Sequence, residues 1–152
     1  MFDYMCKVTR VVDGDTVDVT IDLGFKLAKS DRVRLTGIDT PESRTRDLAE
    51  KKLGLEAKAF LKAWCAEHKG DIVIHTESEG KYGRLLGALY WGGSEQSVND
   101  LMLEAGFAWE YGGGKKEKSF EELAERRAAY ERRRRASSSS GLMRRVIDAT
   151  SS

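Results

Sequence analysis

Arg34-Leu-Thr-Gly-Ile-Asp39-Thr40-Pro41-Glu42 sets an arginine, two carboxylates and a conformational stop within nine positions. Asp13-Gly14-Asp15-Thr16 stands upstream of it and Lys81-Tyr82-Gly83-Arg84 downstream. Together these are the parts of a phosphodiester-cutting site. Arg34 and Arg84 can present planar forks to phosphate oxygens, a geometry that lysine cannot reproduce, and suit the charge of a phosphate in flight. Asp15 and Asp39 offer hard oxygen ligands to a divalent cation, with the backbone carbonyl of Thr40 completing the protein's share, and Glu42 can handle a water. Calcium takes six to eight oxygens, so water and substrate phosphate would fill the remaining positions.

Each piece alone has a plainer reading. Asp13-Gly14-Asp15 is good hairpin-turn chemistry, because Asp and Gly dominate turns. Arg34 lies in a strand-like run between Val33 and Leu35, where an arginine is usually a solvated charge, and Glu42 is a surface glutamate by default. An EF-hand is excluded, since counting from Asp13 puts Gly24 where the twelfth-position carboxylate is required. His68 and His75 have no second ligand at metal spacing, and Gly112 to Gly114 before Lys115 lacks the spacing of a phosphate-binding P-loop.

The elements that must position these residues follow from hydrophobic periodicity. Val17, Val19, Ile21 and Leu23 alternate with Thr16, Asp18, Thr20 and Asp22, the period of a half-buried strand. Val8 to Val12 is its expected partner across the Asp13-Gly14 turn, and a third strand runs from Arg32 to about Ile38, where Pro41 ends regularity. Ala57, Phe60, Leu61, Trp64 and Cys65 fall on one helical face, predicting a helix from about Leu55 to His68 that stops at Gly70. Asp71 to Thr76 and Arg84 to Trp91 read as two more strands. Ser97-Val-Asn-Asp100 and Ser119-Phe-Glu-Glu122 are capping boxes that open two C-terminal helices, the second placing Phe120, Leu123 and Ala124 on one face. The fold class expected is α+β and mainly β: a five-stranded OB-fold barrel with a helix between strands 3 and 4 and two helices after strand 5. The domain is expected to occupy residues 1–135, followed by a flexible Ser- and Arg-containing tail over 136–152.

At this order and spacing the three motifs resemble the staphylococcal nuclease (thermonuclease) family. Arg34 stands five before Asp39 and Glu42 three after it, and Gly54-Leu-Glu56-Ala57, Val98-Asn99-Asp100-Leu101 and Ala105-Gly106 continue the likeness from about Val8 to Tyr130. The resemblance implies a calcium-dependent nuclease of DNA and RNA with little sequence specificity, using one Ca²⁺ ion and leaving 3′-phosphate ends. It implies that Arg34 and Arg84 stabilise the phosphoryl group, that Glu42 acts on the attacking water, and that Asp15 and Asp39 hold calcium. Lys81 and Tyr82 match positions that contact a terminal phosphate. Tyr111 stands out of register with the family's aromatic stretch as a base-stacking residue, and Trp109 is expected in the core. The alternative function is a non-catalytic module binding single-stranded nucleic acid on the same barrel.

Bulk properties agree with a globular protein. The 152 residues are 40% hydrophobic and 34% charged, enough for one core. The net charge of +1 conceals an asymmetry: from Lys115 onward eleven Lys and Arg face six Asp and Glu, leaving fifteen against nineteen before it. The block Arg132 to Arg135 fits either a solvated helix face or a phosphate-tracking arm. The partners expected are DNA and RNA, single strands preferred, with no membrane and a monomeric state. Met-Phe-Asp-Tyr-Met-Cys-Lys has no long apolar run, so the chain as written is expected in the cytoplasm, and secretion would require a removed leader. Cys6 and Cys65 are expected as reduced thiols.

Overall fold

The computed structural model describes residues 2–79, 84–112 and 118–150. Strands β1 (Asp3–Asp13), β2 (Thr16–Gly24), β3 (Leu27–Leu35), β5 (Ile72–Glu79) and β6 (Leu85–Trp91) close into a barrel in the order β1-β2-β3-β6-β5. Neighbours are antiparallel except β3 and β6, which run parallel, and β1 closes the ring on β5. Helix α1 (Leu48–Glu67) connects the third and fourth barrel strands, and α2 (Val98–Glu104) and α3 (Phe120–Thr150) follow the fifth. This is the OB-like α+β architecture that the order of elements predicts.

Alternation on β2 does what a half-buried strand requires. Val17, Val19 and Ile21 are buried, while Thr16, Asp18 and Thr20 keep partial contact with water. Val33 and Leu35, Ile72 and Ile74, and Leu89 fill the same core from the other strands. Ala57, Leu61 and Trp64 of α1, with Val98 and Met102 of α2, cover it. Trp109 is buried, as expected, and its indole N–H donates to the Ser119 carbonyl at 2.8 Å.

Several boundaries differ from the sequence reading. Leu23 is exposed, because β2 and β3 continue beyond the barrel as a two-stranded ribbon and β3 begins at Leu27 instead of Arg32. The third strand also does not reach Ile38. Gly37 adopts φ +75°, a region that favours glycine, and turns the chain after Leu35. Ile38–Asp39 then forms a separate short strand, β4, antiparallel to β7 (Trp109–Glu110). Helix α1 starts seven residues before Leu55, since Asp47 caps it by accepting from Ala49 N at 3.0 Å and Glu50 N at 3.3 Å. Its exposed first turns carry no apolar stripe from which periodicity could detect them.

The capping signals ahead of the later helices agree with the structure: Ser97 Oγ accepts from Asp100 N at 3.1 Å and Ser119 Oγ from Glu122 N at 3.3 Å. On α3 the expected face is narrower than the sequence implies, with Leu123 buried, Phe120 set edge-on against Trp109, and Ala124 exposed. Helix α3 continues past Arg135 through the serines, which interrupt a helix far less than proline does. Its side chains from Glu131 to Ser139 are all exposed.

Candidate active site

The β2–β3 ladder pairs Thr16 with Arg34, so Asp15 enters β2 beside the arginine. Leu35 N donates to the Asp15 carbonyl at 2.8 Å and fixes that approach. The Gly37 turn then folds Asp39 back onto the same guanidinium. Arg34 Nη1 lies 3.0 Å from Asp15 Oδ2, and Nη2 lies 3.4 Å from Asp39 Oδ1. Their side chains are 15% (Arg34), 14% (Asp15) and 5% (Asp39) exposed, so these charges meet in a partly desolvated place where they act more strongly than on the surface.

Thr40 completes the cluster. Its backbone N and its Oγ1 donate to Asp15 Oδ2 at 3.2 and 3.0 Å, and Thr16 Oγ1 donates to Asp15 Oδ1 at 3.0 Å. Gly14 lets the hairpin approach, because a Cβ there would stand 2.9 Å from Ala57 Cβ and 3.1 Å from the Thr40 side chain. Arg34 thus bridges two carboxylates, and the cluster presents oxygen atoms of Asp15, Asp39 and Thr40 side by side. All the oxygens are hard, and the donor set fits a divalent ion of the calcium or magnesium type. Among the described residues no group of three or more His, Cys, Asp or Glu side chains that could hold a metal ion forms.

Glu42 is exposed three residues beyond Asp39, and contacts that the sequence did not point to hold its loop. Its backbone N donates to Glu50 Oε1 at 3.3 Å, an oxygen that also meets Lys118 Nζ at 3.2 Å. Ser43 Oγ donates to Asp13 Oδ1, tying the loop to the end of β1. Gly54 presses α1 against it: a Cβ there would lie 2.7 Å from the Glu42 carbonyl and the Pro41 oxygen. The one signal in the sequence was Gly54 itself, since a glycine inside a helix costs about 1 kcal/mol relative to alanine and calls for a packing reason.

Arg84 is exposed and immediately precedes β6, whose Leu86 is the register partner of Arg34, so Arg84 leads into the strand adjacent to that of Arg34. Among the described residues Arg84 forms no ion pair. Tyr111 follows β7, is half-buried, and donates its backbone N to the Gly37 carbonyl at 2.9 Å, across from the turn that leads to Asp39. Lys81 and Tyr82 lie outside the described residues. The histidines sit apart: His68 stacks on Trp91 at 5.2 Å and tilts against Trp64, and His75 Nδ1 is 2.6 Å from Asp3 Oδ1.

The family model described as "Staphylococcal nuclease homologue" matches residues 32–136, more than half of the chain. The chain belongs to the staphylococcal nuclease family. Arg34, Asp39, Thr40, Glu42 and Arg84 fall inside the matched span; Asp15 precedes it and reaches the cluster through strand pairing. The chain is 34% identical over 103 residues to an uncharacterised Bacillus anthracis protein, covering 66% of this chain and 44% of that one. It is 30% identical over 116 residues to a micrococcal nuclease of Shigella flexneri (72% and 59%). With a thermonuclease of Staphylococcus hyicus it shares 33% over 102 residues (67% and 56%). The chain thus spans about half the length of these relatives. No helix among the described residues is long and apolar enough to cross a membrane.

Proposed function

We propose that this chain is a calcium-dependent nuclease that hydrolyses phosphodiester bonds of DNA and RNA with little sequence preference, favours single strands, acts as a monomer and leaves 3′-phosphate ends. The observation that carries the reading is the junction of Asp15, Arg34, Asp39 and Thr40, which sets hard oxygens for a cation beside a guanidinium suited to phosphate. Asp15, Asp39 and the Thr40 carbonyl hold one Ca²⁺, which supplies positive charge beside the scissile phosphate when bound. Arg34 exchanges its carboxylate contacts for phosphate oxygens, and Arg84, which has no ion pair among the described residues, brings the second fork. Glu42 holds the attacking water by accepting its hydrogen bond, so that oxygen approaches phosphorus opposite the leaving 5′ oxygen. Lys81 and Tyr82 contact a terminal phosphate, and Tyr111 stacks on a base.

The names of the Shigella flexneri and Staphylococcus hyicus relatives support this reading. A second reading, a binding module without cleavage, draws on Arg34 itself, whose two terminal nitrogens are already occupied by Asp15 and Asp39. One experiment separates them: end-labelled single-stranded DNA and RNA are incubated with calcium, magnesium or chelator, and the product ends are identified. Calcium-dependent products bearing 3′-phosphates are expected. Equal or faster turnover in magnesium alone would overturn the calcium assignment, and retention of intact strands in calcium would favour the binding module.

A further inference from the structure

A groove of about 740 Å³ runs between β1 and α1. Lys7 and Arg10 line it from the strand, Lys58 and Lys62 from the helix, and Lys69 from just beyond the helix end, with no carboxylate among the lining residues. Among the described residues none of these five cations forms an ion pair. Lys29, Arg32, Lys118 and Arg133, by contrast, each meet an acid. Arg10 faces Asp18 across the β1–β2 ladder, but Arg32 holds the Asp18 carboxyl below its usual range through a hydrogen bond, with a weaker pull from Arg10. Asp18 is therefore committed chiefly to Arg32.

The floor of the groove adds no negative charge. Cys6 and Cys65 both line it, and burial pushes their thiols up to about 11 and about 12, so both remain neutral at physiological pH. One end of the groove, at Arg10, Val11 and Lys58, adjoins the Gly14–Ala57 contact that borders Asp15. At the other end the α1 C-terminus contributes a partial negative charge, which Lys69 offsets, so the field on an anion is strongest near Arg10 and Lys58.

We propose that this groove is a second nucleic-acid contact, in which Lys7, Arg10, Lys58, Lys62 and Lys69 track the phosphates of a single strand that continues past the Asp15–Arg34–Asp39 cluster. The choice of polyanion rests on the nuclease reading; the charge and shape of the groove do not. A concave groove lined by five cations suits a flexible polyphosphate, whereas a membrane surface calls for apolar anchors beside the basic residues. The contact lengthens the substrate that the protein holds without adding a group to the chemistry.

The test compares wild type with the variant Lys7→Gln/Arg10→Gln/Lys58→Gln/Lys62→Gln/Lys69→Gln. Arg10→Gln/Lys58→Gln serves as a lighter version should the fuller one fail to fold, and Lys29→Gln/Lys52→Gln as a control outside the groove. Binding of a long fluorescent single-stranded DNA is followed in chelator over a range of salt. Removing three to five cation–phosphate pairs should flatten the slope of log K against log salt by about 2–3.5 units, or about 1.4 for the lighter variant, at about 0.7 per pair. In calcium, KM for the long strand should rise while turnover of a dinucleotide is unchanged. Identical salt slopes for variant and wild type overturn the proposal even if cleavage is normal. Loss of binding to phosphatidylserine vesicles with no change toward DNA overturns it also, and reassigns the groove to membrane lipid. If wild type binds but never cleaves, the nuclease reading fails while the slope difference still supports the groove.

Discussion

Replacing Gly54 by alanine should separate the stability of α1 from the placement of Glu42. On propensity alone, alanine inside a helix stabilises by about 1 kcal/mol. Here the new methyl group would stand 2.7 Å from the Glu42 and Pro41 carbonyls, against an ordinary contact of at least 3.4 Å. Backbone must give by about 0.7 Å, and overpacking of this kind costs about 1–3 kcal/mol. The two terms leave the protein between unchanged and about 2 kcal/mol less stable. The displaced segment carries Glu42, proposed to hold the attacking water, and a misplacement near 1 Å costs a reaction about 10²-fold, so kcat should fall by roughly 10- to 100-fold. Single-turnover cleavage of a labelled strand at saturating calcium, run beside a thermal melt to fix the folded fraction, measures both quantities. A variant with full kcat and a Tm raised by the whole propensity gain would show that the α1–loop contact does not position Glu42.

Five other outcomes are expected. Glu42→Gln should lower kcat by at least ~10²-fold with little change in Tm, because the side chain is exposed; near-wild-type cleavage would remove its water-handling role. Thr40→Val deletes the hydroxyl donor 3.0 Å from Asp15 Oδ2 and should weaken calcium binding, read by titration calorimetry, by roughly tenfold or more, the scale of a hydrogen bond to a charged group. The thiols of Cys6 and Cys65, raised from 9.0 to about 11 and about 12, should alkylate at neutral pH ~10²–10³ times more slowly than a free thiol. The same shifts favour the folded state fully below pH 9.0 and lose that contribution as pH rises through about 11 to 12, a decline in urea midpoint that Cys6→Val/Cys65→Val should reduce. Limited proteolysis should cut within 136–152 and leave the 1–135 unit active, because the side chains from Glu131 to Ser139 are all exposed; cleavage that begins in the barrel would refute that division.

The barrel was legible because its signals are local. Period-two alternation on Val17, Val19 and Ile21, the apolar face of Ala57, Leu61 and Trp64, and the cap at Ser97 each lie within a few residues. What escaped depended on partners far away in the chain. Nothing near Leu27 announces a strand, because the ribbon beyond the barrel has no buried face to impose a pattern. Asp47 opens a helix whose first turns are exposed, so only the cap marks them. In the candidate site, residue types alone marked Asp15, Arg34, Asp39, Glu42 and Arg84. Their supports are Glu50 with Lys118, Ser43 with Asp13, and Gly54, and these act through contacts that only the folded chain defines.

The two-residue ladder of β4 with β7 has a thermodynamic consequence. It pairs Asp39 with Trp109, and the amide of Tyr111 closes on Gly37 at 2.9 Å. Trp109 in turn bonds Ser119 at the threshold of α3. A ligand held by Asp39 favours the closed ladder over its opened forms by RT ln(1 + [L]/Kd), so site occupancy is communicated to the C-terminal half as resistance to solvent exchange. If Asp39 holds a ligand as proposed, the Tyr111 amide proton should act as a native reporter, its deuterium uptake slowing as the site fills without any label placed on the protein.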